Sequence, residues 1–152
     1  MANATMKTST AHLLERLFKN VKMGSDSIMS LLPKIDAEND KFKSDLTLQL
    51  NGYERFASRI NTMLCEAGEE AKEDSIINKM SAKVGTTMNT LMDSSVSHIA
   101  DMMIQGSTMG ITDTTKLLRE FENTSASEGA LSLARDIIQF EDENSERMKA
   151  YL

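Results

Sequence analysis

Apolar residues recur three and four positions apart along most of the chain, a spacing that places them on one face of an α-helix. The first such stretch runs from about Ser9 to Leu32. Pro33 stops it, because proline lacks an amide donor and disfavours helical geometry in the residue before it. Its apolar positions are Leu14, Leu17, Phe18, Val21, Ile28 and Leu32. The pattern predicts a first long helix.

A second and longer stretch lies between Asp36, a residue type that caps helix N-termini, and Gly68, a residue type that ends helices. Its core-facing positions are Phe42, Leu46, Gln49, Tyr53, Phe56, Ile60 and Met63. The acidic residues 69–74 predict a solvated turn. Apolar positions between Ile76 and Leu91 then predict a shorter connecting helix.

Two further stretches complete the pattern. Capping residue types at 93–95 predict the start of a third long helix, and Ser125 with Glu128 predicts a capping box before a fourth. One face of the third helix carries Ile99, Met103, Gly106, Gly110, Thr114, Leu117 and Phe121. The fourth carries Leu131, Ala134, Ile138, Glu141, Ser145, Met148 and Leu152. We therefore predict an all-α protein, an antiparallel four-helix bundle with an extra shorter helix between the second and third long helices.

Composition agrees with this interpretation. A chain of 152 residues is the size of one domain, so we predict a single helical-bundle domain over residues 1–152, with residues 1–8 as a flexible N-terminal tail. Aromatic residues make up only 5% and there is one proline, which suits packed helices better than a β-sandwich. The net charge of −6, with scattered basic residues, argues against a nucleic-acid partner.

The single cysteine and the absence of long apolar runs bear on the compartment. Cys65 cannot form an internal disulfide and lies within a helical pattern, so we predict a small buried side chain in a reducing environment. The sequence has no apolar run of signal-peptide or membrane-spanning length. We expect a cytoplasmic protein that does not bind membranes.

Small or polar residues interrupt the apolar face of each long helix near its middle. The predicted polar layer comprises Ser25, Gln49, Gly52, Gly106, Gly110, Glu141, Asn144 and Ser145. The spacing of Gly106 and Gly110 would let another backbone approach closely. A carboxylate in an apolar seam is costly unless it is hydrogen-bonded, metal-bound or protonated. The simplest hypothesis is that Glu141 meets Gln49 or Ser25 across the bundle.

Four segments give the chain a resemblance to the ferritin-like superfamily, and more closely to its small rubrerythrin-like bundles of unassigned function. They are LLERLFKNVKMGSDSI, LQLNGYERFASRINTML, MMIQGSTMGITDTTKLL and IIQFEDENSERMKAYL, which fall where those families place their bundle helices. Metallated families of this kind supply one Glu from each of two helices and a Glu-x-x-His pair from each of the other two.

Carried onto this chain, the two Glu-x-x-His pairs fall on Gln49 with Gly52 and on Glu141 with Asn144. The single Glu positions fall near Ser25 or Asp26 and near Gly106 or Ser107. The resemblance therefore implies that the ligands have degenerated, so that no conventional dinuclear site and no cofactor is expected. Asp26, Gln49 and Glu141 are the residual candidates for an altered site that would hold iron, manganese or zinc.

Two other features leave alternatives open. His98 precedes Asp101 by one turn, a pairing that can serve acid–base chemistry or zinc binding but is also common in ordinary helices. Several of the twelve methionines fall close together, at positions 88, 92, 102, 103 and 109. They fit core packing, a contact with another subunit or a soft-metal site.

Three hypotheses for the function follow from the sequence. The leading one is a non-enzymatic bundle that acts by self-association as a homodimer, or by binding a protein partner through an apolar helix face. The second is a metal-binding protein or oxidoreductase with an altered site around Glu141. The third is a ligand pocket lined by the methionines and the polar layer, which requires a cavity.

Overall fold

The computed structural model describes the backbone of residues 2–68 and 93–152, and the side chains of these ranges from residue 9 onward. The long helices are α1 (Ala2–Leu31), α2 (Asp40–Glu66), α3 (Val96–Glu122) and α4 (Glu128–Lys149), with a 3-10 turn at Leu32–Lys34 after α1. These ranges contain no strand, which confirms the all-α prediction. The predicted shorter helix and the acidic turn before it lie outside the described residues.

Most helix ends follow from local chemistry. Pro33 lies in the 3-10 turn directly after α1, as expected of a residue without an amide donor. Gly68 has a φ of +80° just beyond α2, a conformation that favours glycine and ends the helix there. Ser95 caps α3, because its side chain accepts a hydrogen bond from the amide of His98.

Three predicted boundaries are corrected. Asp36 is not the N-cap of α2, which starts at Asp40 after a turn in which the amide of Asn39 donates to the Asp36 carbonyl at 3.0 Å. The cap of α4 is Ser127 rather than Ser125, and its side chain accepts from the amide of Ala130. Helix α1 starts at Ala2 rather than near Ser9, so the backbone of residues 2–8 is helical.

The four helices enclose one hydrophobic core. Helix α1 packs along α2 and α3 along α4, while α1 also contacts α3 and α4, and α2 contacts α4. The largest fully buried side chains are Leu13, Leu14, Leu17, Ile28, Leu31, Phe42, Leu46, Ile60, Ile99, Leu133, Ile137 and Met148. Burial of these aliphatic groups is the main stabilising contribution to the fold.

Side-chain contacts set the register of the helices. Arg16 of α1 pairs with Glu120 of α3 at 2.8 Å. Between α2 and α4, Arg59 contacts Asp136 at 3.4 Å. Farther along, the rings of Phe42 and Tyr151 lie 4.7 Å apart, at the start of α2 and just after α4. The two ion pairs are about half exposed, so they contribute more to register than to stability.

The environment of Cys65 differs from the prediction. Cys65 is exposed near the end of α2, so its predicted burial is wrong. The neighbouring position Leu64 faces the core instead, because one residue along a helix rotates a side chain away by about 100°. None of the helices in the described ranges is long and apolar enough to cross a bilayer.

Candidate functional site

Glu141 lies in the interior of the bundle and is only 5% exposed. The hydroxyl of Tyr53, on α2, donates a hydrogen bond to Glu141 Oε1 at 2.6 Å. Two neighbours hold the tyrosine ring in place. Phe140 meets it edge-on with the ring centroids 5.0 Å apart. Gly24 of α1 lies so close to the ring that a Cβ on this residue would come within 2.5 Å of it. The absence of a side chain at position 24 therefore allows the tyrosine to reach the carboxylate.

The surroundings of Glu141 keep it close to protonation at neutral pH. Burial raises its pKa to about 7, although the Tyr53 and Ser107 hydroxyls both act to lower that pKa. Burial and the neighbouring carboxylate also raise the pKa of Tyr53 well above its usual value. The tyrosine therefore stays neutral while Glu141 changes charge near pH 7.

The second oxygen of the Glu141 carboxylate, Oε2, is buried and has no hydrogen-bond partner among the described residues. Ser107 of α3 lies close enough to the carboxylate to affect its pKa, but its hydroxyl makes no hydrogen bond of good geometry in the described part of the chain. Buried polar atoms usually have partners, so two neighbouring oxygens, Glu141 Oε2 and Ser107 Oγ, without partners in the described ranges favour a binding site.

A cleft of about 150 Å³ opens between α1 and α3 and ends at Tyr53 and Glu141. Its walls are mostly apolar and include four methionines, at positions 23, 102, 103 and 109. The side chains of Met23 and Met109 are 44% and 64% exposed. Of the clustered methionines, Met102, Met103 and Met109 thus line a cavity and Met103 is also part of the core, whereas positions 88 and 92 lie outside the described residues.

Glycines on α3 leave room for this cleft. A Cβ on Gly110 would lie 3.1 Å from the Glu141 carboxyl carbon, so a larger residue would press on the acid. Gly106 is exposed, and a Cβ there would meet no atom of the described residues within 4 Å. Within the described residues, no backbone approaches Gly106 closely, and the nearest atoms to a Cβ on Gly110 belong to the Glu141 side chain.

The other residues of the predicted polar layer are buried. Ser25, Gly52 and Ser145 are shielded from solvent, and the ring of Phe140 covers Gly52. Gln49 is fully buried, and neither atom of its amide group has a partner within the described ranges. Asn144 is also buried, close enough to the Tyr53 hydroxyl to lower its pKa.

The hypothesis that Glu141 pairs with Gln49 or Ser25 is wrong, because the Glu141 carboxylate accepts its hydrogen bond from the Tyr53 hydroxyl. Sequence reasoning placed Tyr53 only in the apolar seam. A buried tyrosine hydroxyl needs a polar partner, and that requirement was the available signal.

The predicted metal candidates, Asp26, Gln49 and Glu141, are all buried. Asp26 is buried and pairs with Lys22, one turn earlier on α1, at 3.2 Å. Within residues 2–68 and 93–152, no group of three or more His, Cys, Asp or Glu side chains could hold a metal ion. The predicted partner of His98, Asp101, accepts a hydrogen bond from Gln105 at 3.0 Å.

No protein-family model matches this chain, and no curated protein or solved structure shows significant similarity to it. The ferritin-like resemblance therefore stays a prediction. The function has to be argued from the geometry of the cleft.

Proposed function

We propose that this protein is a non-catalytic helical bundle that binds a small ligand in the cleft between α1 and α3. The observation that carries this proposal is that the cleft ends at a buried carboxylate whose Oε2 has no partner among the described residues. Ligand sites typically combine apolar walls with a few placed polar groups, which fix the orientation of the ligand. A cavity of about 150 Å³ holds a molecule about the size of benzene.

The lining favours binding over catalysis. It brings together the carboxyl groups of Glu141 and Asp113 with the hydroxyls of Tyr53 and Ser107, but the described lining contains no histidine, cysteine or lysine. Nucleophilic catalysis needs an activated nucleophile beside a base. Tyr53 is held neutral by its raised pKa and does not meet this requirement.

The proposed architecture is an antiparallel bundle of ferritin-like type. Its support is the order of contacts, since residues of α2 with rising numbers meet residues near α4 with falling numbers: Phe42 with Tyr151, Tyr53 with Glu141, and Arg59 with Asp136. In such a bundle, the middle of each helix faces the same central layer. The cleft then occupies the level at which metallated relatives of this type would hold their ligands.

The ligand-binding proposal can be tested by blocking the cleft. Gly106 lines the cleft, and a Cβ there would meet no atom of the described residues, so we expect Gly106→Leu to give a folded protein that no longer binds small molecules. The measurement is an NMR titration of the full chain with benzene-sized fragments, followed at the amides of Gly106, Ser107 and Gly110. Gly129→Leu is the control, because Gly129 is an exposed glycine on α4 outside the cleft lining. Equal binding by Gly106→Leu and wild type would show that the cleft is not the site.

Self-association, or binding of a protein partner, is a second candidate. The exposed methionines at the cleft, Met23 and Met109, provide apolar surface for it. Flexible thioether side chains adapt readily to a partner surface. A solution mass of twice the 16.9 kDa chain, reduced to one chain by Met109→Glu, would support a homodimer through this face. A monomer at all concentrations would count against it.

An altered metal site around Glu141, with Asp26 and Gln49, is the remaining proposal. Its support is a buried carboxylate with one oxygen that has no partner among the described residues, although these residues offer no cluster of three acidic, histidine or cysteine ligands. Elemental analysis of protein purified without chelators tests it. Near-stoichiometric iron, manganese or zinc that disappears in Glu141→Ala would favour this alternative over ligand binding.

A further inference from the structure

The charges that line the cleft indicate which class of ligand it takes. Glu141 lies at the end of the cleft and Asp113 of α3 also lines it, whereas the described lining contains no arginine, lysine or histidine. A cavity bounded only by acidic and neutral groups attracts cations and repels anions. Carboxylate-bearing and phosphate-bearing ligands are therefore poor matches.

The polar atoms without partners favour a ligand that carries a hydrogen-bond donor. Glu141 Oε2 can accept hydrogen bonds but lacks a donor among the described residues. The Ser107 hydroxyl is buried close to the same carboxylate and can also accept. An ammonium group has three N–H donors and no acceptor, so at the Glu141 carboxylate it can donate hydrogen bonds and neutralise the acid.

The apolar wall specifies the rest of the ligand. Met102 and Met103 of α3 and Leu31 of α1 also line the cleft. Thioether and aliphatic side chains pack against hydrocarbon and offer little to a strongly hydrated inorganic cation. The cavity volume of about 150 Å³ limits the hydrocarbon part to about four to six carbon atoms.

We propose that the cleft binds a small primary ammonium ion with an apolar body, its nitrogen at the Glu141 carboxylate beside Ser107 and its hydrocarbon part among the methionines. This inference rests on the proposed ligand-binding function and adds the chemical class of the ligand. The ligand stabilises the ionised form of Glu141, because a neighbouring positive charge favours a carboxylate.

The ionisation of Glu141 makes binding depend on pH. Tyr53, from α2, stays neutral near pH 7, and Asp113, from α3, supplies the other acidic group of the lining. Helix α1 contributes only uncharged residues to the described lining, and α4 contributes Glu141 alone. An alkylammonium ion keeps its charge between pH 6 and pH 8, since amines of this type titrate near pH 10. Because the pKa of Glu141 is about 7, the affinity of the cleft for the alkylammonium ion should rise about tenfold from pH 6 to pH 8.

The test compares butylammonium with butan-1-ol, which has a similar shape and no charge. Isothermal titration calorimetry of the full chain at pH 8 should show butylammonium binding at least about tenfold more tightly than butanol. Lowering the pH to 6 should weaken binding of butylammonium about tenfold and leave binding of butan-1-ol unchanged. Glu141→Gln should remove both the preference and the pH dependence, and Gly106→Leu should abolish binding of both ligands.

A second variant protects the test against loss of folding. Ser107→Ala removes the hydroxyl oxygen that is the second acceptor, so it should weaken binding of butylammonium and leave binding of butanol unaffected. Equal binding of the two ligands by wild type, blocked by Gly106→Leu, would overturn the ammonium assignment and leave the ligand-binding function standing. Failure of the fragments and of both ligands to bind would overturn the two proposals together.

Discussion

The buried carboxyl of Glu141 should make the protein less stable as the pH rises from 5 to 8. In the folded state its pKa is about 7, compared with 4.5 for an unperturbed glutamate such as that of the unfolded chain. Between these values the unfolded chain has lost this proton while the folded protein keeps it. Each rise in pH therefore favours unfolding. The stabilisation is complete below pH 4.5 and is lost as the pH passes 7.

The size of the effect follows from the difference between the two pKa values. That difference, about 2.5 pH units, corresponds to about 3 kcal/mol in the free energy of unfolding. About 2.5 kcal/mol of it should fall between pH 5 and pH 8. Tyr53 does not titrate in this interval, because its pKa is raised well above 10.0.

The assay is urea denaturation followed by circular dichroism at pH 5, 6, 7 and 8. Glu141→Gln has nearly the same shape and cannot ionise, so wild type should lose about 2.5 kcal/mol relative to this variant across the series. Glu143→Gln, an exposed glutamate on the same helix, serves as the control and should follow wild type. If wild type and Glu141→Gln show the same pH dependence, burial does not disfavour the ionised form of Glu141 and the reasoning fails.

Three more predictions use the same denaturation assay. Tyr53→Phe keeps the ring but removes the donor to the buried carboxylate, so at pH 8 the free energy of unfolding should fall by about 2 kcal/mol; no change would mean that the hydrogen bond adds nothing. Gly24→Ala, whose Cβ would lie 2.5 Å from the Tyr53 ring, should destabilise by about 2 kcal/mol, whereas Gly106→Ala should stabilise by about 0.5–1 kcal/mol; equal effects would contradict the packing described. Ser127→Ala should lower the free energy of unfolding by about 1 kcal/mol, because it removes the helix cap, whereas Ser125→Ala should change it very little. The reverse order would show that Ser125 is the cap.

Helix boundaries could be predicted where one residue type leaves no choice. Pro33 and Gly68 act through their own backbone geometry, and both end helices as predicted. The start of α4 could not be assigned in this way, because Ser125 and Ser127 are both capping types. Tertiary structure distinguishes them, since the Thr10 hydroxyl of α1 accepts a hydrogen bond from the amide of Ser127 at 2.9 Å.

The sequence by itself determined the all-helical class of the described chain and the unusual position of Glu141. Both follow from periodicity, because the helical repeat alone decides which residues share a face. Only the tertiary structure decided that Tyr53, rather than Gln49 or Ser25, meets this acid. It also decided that α1 and α3 leave a cleft beside the acid. The physical reason is that contacts between helices depend on their rotation and separation, which are set by the whole core and not by the spacing within one helix.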